Sequence, residues 1–144
     1  IPTTETEIVL LFGYDRETYQ KVERAPTNAF QTIGDQDLSV WCHALEATGF
    51  TLVPQNVAVP EAVLMIGYGM PAQYRRQETL CATAGSSATN LLLTCQVTPG
   101  TSGAPVLARS GDEPQFFGVV SASGPSGTLV ERLPVETVQS VCTP

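Results

Sequence analysis

Ser102 lies in the run Val97-Thr98-Pro99-Gly100-Thr101-Ser102-Gly103-Ala104-Pro105-Val106, after one expected strand and before another. Gly100 has no β-carbon, so its backbone can adopt conformations closed to other residues. That freedom lets the N–H groups of Gly100 and Ser102 point into one small concavity. Two converging donors beside a hydroxyl are the parts acyl transfer needs: a nucleophile, and a site for the oxyanion formed when it attacks. Gly103 leaves room beside the serine, and Ala104-Pro105-Val106 carries the chain toward a core. A Gly-Ser hairpin turn with no chemistry uses the same residue types. A serine hydroxyl is a poor nucleophile until a base takes its proton, so the acids and the imidazole decide how the run is read.

The acid candidates stand in Gly34-Asp35-Gln36-Asp37-Leu38-Ser39-Val40-Trp41-Cys42. Alternation puts Leu38, Val40 and Cys42 on one face of a strand and Ser39 and Trp41 on the other. An aspartate at the head of such a strand can be partly buried while its carboxylate accepts several hydrogen bonds. Asp37 is the better candidate because Leu-Ser-Val follows it directly, with Asp35 the fallback; the other reading is two aspartates decorating a turn. His43 is the one histidine of the chain. It lies six residues beyond Asp37, ~20 Å along an extended strand at ~3.3 Å per residue. It is therefore expected to be a structural or surface residue, because base and nucleophile must lie within hydrogen-bond reach.

Taken together, these segments resemble the chymotrypsin-like serine proteases, especially the secreted bacterial type, whose nucleophile loop reads Gly-x-Ser-Gly-[Gly/Ala/Ser]-Pro-Val. The loop is not the Gly-x-Ser-x-Gly elbow of α/β-hydrolases. Asp37-Leu38-Ser39-Val40 resembles the aspartate segment of the family, and it precedes the serine as the family order requires. Residues 62–69 resemble the strand that opens the second barrel. Phe116-Phe117-Gly118-Val119-Val120-Ser121-Ala122-Ser123-Gly124 resembles the strand that walls the substrate cleft and pairs with substrate as an added strand. The resemblance implies an endopeptidase that hydrolyses peptide bonds through an acyl-enzyme, acting on a peptide or protein substrate. Ser102 would be the nucleophile, Asp37 the group that orients a histidine, and the N–H groups of Gly100 and Ser102 the oxyanion hole. Ser121, Ala122 and Ser123 would hold the substrate backbone. Gln96, six before the serine, would sit at the base of the specificity pocket, where a neutral residue argues against a strong preference for Arg or Lys.

One part is missing. The histidine of the family precedes the aspartate in an Ala-Ala-His-Cys-like motif, and no such motif precedes Asp37 here. Either the chain is the C-terminal product of a cleavage, with the histidine on an N-terminal fragment of the same precursor, or it is a catalytically inactive protease-fold binding module. Residues 7–45 supply about three strands, too few to close a barrel, and open edges need cover. A bound N-terminal fragment is therefore expected to bring the missing strands and the base. Ile1 is not expected to be a buried, activated N-terminus, because Pro2 follows it and Thr101, not an aspartate, precedes Ser102. An unrelated β-sandwich, with no cleft at Ser102, is the third possibility.

Composition sets the frame for these residues. The chain has 144 residues, 42% hydrophobic and 15% charged, with 12 Gly and 11 Pro, a mixture that suits a turn-rich all-β protein. The resemblance narrows this to a chymotrypsin-like double β-barrel, the first barrel partial and the second complete, with a short C-terminal helix. The expected division is a partial first barrel over 1–50, a crossover over 51–61 and a second barrel over 62–144. Apolar positions at 135, 138 and 141 make one face of that helix. A net charge of −7 argues against nucleic acid or an anionic membrane surface as partner, and no apolar run approaches the ~20 residues of a membrane span. No charged-then-apolar leader opens the chain, and any such segment is expected to have been removed. Cys42, Cys81, Cys95 and Cys142 match no zinc-ligand spacing, so no metal and no cofactor is expected. Two disulfides and a secreted or periplasmic location are expected instead, against the alternative of reduced cysteines in a cytosolic protein. Three pairings are open. Cys81 and Cys95 flank an expected hairpin, which favours joining them and leaves Cys42 with Cys142.

Overall fold

The computed structural model describes residues 6–43, 49–54, 56–110 and 113–143. Of the start over 1–6, expected from its polar residues to be frayed, residues 1–5 lie outside them, as does the end of the expected third strand near residue 45. Strand β1 (Glu7–Phe12) pairs antiparallel with β2 (Lys21–Pro26), from Glu7 opposite Pro26 to Phe12 opposite Lys21. A 3-10 turn (Thr27–Ala29) leads to a smaller hairpin of β3 (Gln31–Thr32) and β4 (Ser39–Val40). These are two separate two-stranded sheets, so the described amino-terminal strands close no barrel. Ile8, Leu11 and Val22 are consequently left more than a third exposed.

The stretch expected to be a bare crossover contains a strand. β5 (Thr51–Leu52) lies parallel to the edge of a long later strand, with Thr51 opposite Gln115 and Leu52 opposite Phe116. The next residue, Val53, is buried and donates its N–H to the Phe116 carbonyl.

The rest of the chain builds the main body from β6 (Ala62–Gly67), β7 (Gln77–Ser86), β8 (Asn90–Leu93), β9 (Pro105–Ser110), β10 (Glu113–Gly124) and β11 (Gly127–Arg132). Their order is β11-β8-β7-β6-β9-β10, and β10 pairs again with β11, which closes a six-stranded antiparallel barrel. Alternation selects the interior: Leu91 and Leu93 point in and are wholly buried, while Leu92 between them faces out. Val63, Met65, Val106, Val120 and Val130 complete the core, each side chain contributing ~1.5–3 kcal/mol relative to exposure. β9 runs to Ser110 and β10 starts at Glu113, so three of the five residues 110–114, expected from the sequence to form a surface turn, belong to strands, and the other two lie outside the described residues.

A second cluster joins the small hairpin to the end of the chain. Ile33 and Leu38, either side of the β3–β4 loop, pack with Leu133 and Val135, and Val138 and Val141 of helix α1 (Val135–Cys142) lie against them. This is the apolar face read from the spacing 135, 138, 141. Two disulfides form, Cys81–Cys95 and Cys42–Cys142, as the hairpin reading favours, and they are consistent with an extracellular or periplasmic location. Cys42 faces the surface rather than sharing the interior with Leu38, because its partner sits at the exposed end of α1. The Cys42–Cys142 bridge closes a loop with a sequence separation of 100. Replacing both cysteines by serine is expected to cost ~2–5 kcal/mol, read as a lower midpoint in urea unfolding under oxidising conditions.

Arg132 is buried, at 6% exposure. Its guanidinium donates to the carbonyls of Ser87 and Val57, so it ties the β7–β8 connection and the segment before β6 to β11. Burial lowers its pKa from the ordinary value. Among the described residues, no helix is long and apolar enough to cross a membrane.

Candidate active site

The nucleophile loop is shaped by two glycines of left-handed conformation, Gly100 at φ +92 and Gly103 at φ +84. A β-carbon at Gly100 would come within 2.5 Å of Gln73 Nε2 and 3.3 Å of the Tyr68 carbonyl. Glycine is therefore favoured there by its left-handed conformation, and a side chain would also have to push Gln73 aside. The loop is closed by the Thr101 N–H donating to the Thr98 carbonyl and the Ala104 N–H donating to the Thr101 carbonyl. It is bolted to β10 by Gly103 N–H to Val120 carbonyl at 2.7 Å and Val120 N–H to Ala104 carbonyl at 2.9 Å. Thr101 and Ala104 turn inward and are buried, which leaves Ser102 between them exposed. Among the described residues, the N–H groups of Gly100 and Ser102 meet no protein acceptor, so both are free for an incoming oxygen.

The loop presses against the end of β6. A β-carbon at Gly69 would fall 2.3 Å from Thr98 Oγ1 and 2.4 Å from Thr101 Oγ1, contacts that a real side chain does not make. Gly69→Ala is expected to displace the loop and to destabilise by ~1–3 kcal/mol, the usual range for overpacking. Urea unfolding checks this, and an unchanged midpoint would contradict the packing described.

Ser102 borders a cleft of about 180 Å³, lined also by Val97, Thr98, Pro99, Val120, Ala122 and Ser123. Ala122 and Ser123 thus stand beside the serine. Ser121 points elsewhere, and the ladder explains why. Val120 opposes Val130 and Ala122 opposes Leu129, so Ser121 is the extra residue of a β-bulge. The bulge aims its hydroxyl at the β3–β4 loop, where Ser121 Oγ donates to Asp37 Oδ2 at 2.8 Å. Ser123 Oγ accepts from the Val97 N–H at 3.2 Å, so it shapes the cleft wall. The adjoining Thr128 hydroxyl, fully buried, donates to the Cys95 carbonyl at 2.7 Å.

Asp37 lies in the turn before β4 rather than at the head of the strand, and it is exposed, with Ser121 its one hydrogen-bond partner among the described residues. The turn is held by Gly34 at φ +54 and by the Ile33 N–H donating to the Leu38 carbonyl. Asp35 is exposed on the same turn. Gln96 donates its amide to the Gly124 carbonyl at 3.0 Å. It lines a neighbouring cavity of about 100 Å³ with Met65, Gln77, Thr79 and Thr101, while its successors Val97 and Thr98 line both spaces. His43 stacks on Trp41, ring centroids 4.3 Å apart, and its Nε2 lies 3.8 Å from Glu23 Oε2. It thus sits exposed in the segment after β4, facing Glu23 of β2, as a structural or surface residue would.

Sequence reasoning did not single out Gln73, Val97, Pro99 or Val120. The signal for Val97 and Pro99 was their position just before the loop; Gln73 reaches Gly100 only through the fold.

No family model and no curated protein matches the sequence. The solved structure of the murine norovirus NS6 protease, an inactive mutant with a C-terminal extension, matches at a TM-score of 0.52 and 15% identity, over 74% of this chain and 70% of that chain. At that identity the likeness is one of fold, and it is to a viral protease rather than to the secreted bacterial type. With the closed six-stranded barrel, the amino-terminal hairpins and the short C-terminal helix, it gives this chain a chymotrypsin-like fold.

Proposed function

We propose that this chain is the serine-bearing part of a chymotrypsin-like serine endopeptidase that cleaves peptide bonds through an acyl-enzyme. In this reading Ser102 attacks the carbonyl, and the N–H groups of Gly100 and Ser102 receive the oxyanion. Asp37 orients a histidine that takes the proton of the serine. The observation that carries the reading is that one strand, β10, links the parts: Ser121 holds the Asp37 carboxylate, while Ala122 and Ser123 share a cleft with Ser102. Residues 121–123 are read as the edge to which the substrate backbone adds. The cleft walls are uncharged, which favours an uncharged side chain before the scissile bond. Residues 1–50 are read as a partial first lobe, 51–61 as the crossover and 62–144 as the second lobe.

The histidine is proposed to come from an N-terminal fragment of the same precursor, in a secreted or periplasmic assembly. The two unclosed hairpins and the exposed Ile8, Leu11 and Val22 support this, because such edges need covering strands. An intact-mass spectrum of the native material tests it: a second polypeptide containing histidine is expected. A lone chain with no peptidase activity would favour the second reading, a catalytically inactive binding module. That reading draws on the engagement of His43, the chain's one histidine, with Trp41 and Glu23.

A further inference from the structure

The placement of Asp37 poses a mechanical question. Its loop belongs to a two-residue-stranded hairpin that closes no barrel, and its carboxylate is tied by one bond. The buried Ile33 and Leu38 anchor the apolar side of the turn, and a hold on its polar side is what remains to set the distance of Asp37 from Ser102. The adjacent residue, Gln36, is half-buried and aimed at the barrel. Its Nε2 donates to Glu131 Oε2 at 3.2 Å and to the Arg132 carbonyl at 3.0 Å. An amide nitrogen has two hydrogens, and both are engaged. Glu131 is buried, at 9% exposure, and both acceptors lie on the last two residues of β11.

From there a continuous ladder reaches the serine. Glu131 opposes Val119 and Arg132 opposes Gly118 on β10. The following residue, Val120, is the one that clamps Gly103 and Ala104 of the nucleophile loop, and the next, Ser121, holds Asp37. The two neighbours Gln36 and Asp37 therefore grip two adjacent strands of the barrel, β11 and β10. With the apolar anchor of Ile33 and Leu38, these two polar grips fix the orientation of the turn. Asparagine is a methylene shorter than this span, and glutamate would set a second carboxylate against Glu131.

We propose that Gln36 is a positioning residue: its clasp on Glu131 and the Arg132 carbonyl sets where Asp37 stands relative to Ser102. This rests on the serine-endopeptidase reading above. Gln36→Met keeps the length and apolar stem but removes both donors. In the native assembly it is expected to lower kcat ~10- to 100-fold, the scale of an ångström-sized misplacement. KM should stay within twofold, because the cleft beside Ser102 is not touched. Gln36→Glu should be worse, and the exchange Gln36→Glu with Glu131→Gln should recover most of that loss, because it restores one donor–acceptor pair with the roles reversed. A folded but slow Gln36→Met protein together with recovery in the exchanged pair supports the clasp. Should Gln36→Met fail to fold, the comparison of Gln36→Glu with the exchanged pair decides alone. An assembly whose Ser102 is active and whose Gln36→Met kcat stays within twofold of the parent overturns the clasp and leaves the protease reading standing. So does an exchanged pair no faster than Gln36→Glu. A parent assembly with no reactive Ser102 overturns both.

Discussion

Replacing Ser102 by alanine is expected to lower kcat of the assembled protein on the order of 10⁶-fold, the loss typical when the nucleophile of an acyl-enzyme mechanism is removed. The size follows from the loop. Gly100 and Gly103 bend the backbone so that Ser102 alone of residues 101–104 combines exposure with a hydroxyl, while Thr101 and Ala104 are buried. Thr101 Oγ1 lies inside, at the site a β-carbon on Gly69 would occupy, so it cannot take over the attack. The substitution removes only one oxygen from an exposed site, and stability should change by no more than about 0.5 kcal/mol, as for surface changes generally. Steady-state hydrolysis of a peptide ester, with a thermal melt as the control, checks both statements. Residual activity within a hundredfold of the parent would remove Ser102 from the proposed role.

The second large effect is expected at Asp37. Asp37→Asn should lower kcat by about 10⁴-fold near neutral pH, the loss seen when an amide holds the imidazole in the wrong tautomer. Here the carboxylate receives the Ser121 hydroxyl at one oxygen, Oδ2. The amide side chain is isosteric and can still accept that hydroxyl, so the turn should keep its place. The loss should then appear in kcat with KM little changed. Asp35→Asn, on the same turn and equally exposed, should leave both parameters within twofold. If the two substitutions prove equal, Asp37 has no special place and the assignment of the acid fails.

Much of this was legible in the sequence because the chemistry there is local. Gly100, Gly103 and Pro105 dictate a tight turn followed by a strand, and that turn forms. Val135, Val138 and Val141 fall on one face of a short helix at any register. Cys81 and Cys95 were close because the hairpin between them is local, and the remaining pair followed. What escaped was set by distant partners. Gln36 meets its acceptors 95 and 96 residues away, and nothing in Asp-Gln-Asp distinguishes a clasp from a solvated turn. The direction of Ser121 depends on a bulge that arises only when β10 is laid against β11. Gly118 also needs to be glycine because of a distant partner. Its hydrogen lies where a β-carbon would be 2.1 Å from the Glu131 carbonyl. Arg132 is buried and bridges two loops through acceptors far away in the sequence. Gln96, reached by counting back from the serine, lines the cavity that adjoins the cleft, and Val97, Thr98 and Pro99 stand beside Ser102 itself.

The most direct measurement is an intact-mass spectrum of the native assembly after treatment with a fluorophosphonate, followed by peptide mapping. A nucleophilic serine activated by a histidine takes one such group, and an unactivated surface serine takes none. One adduct per chain on Ser102, lost in Asp37→Asn, is the predicted result. A native assembly that carries a histidine-bearing partner and still gains no mass at Ser102 would contradict it.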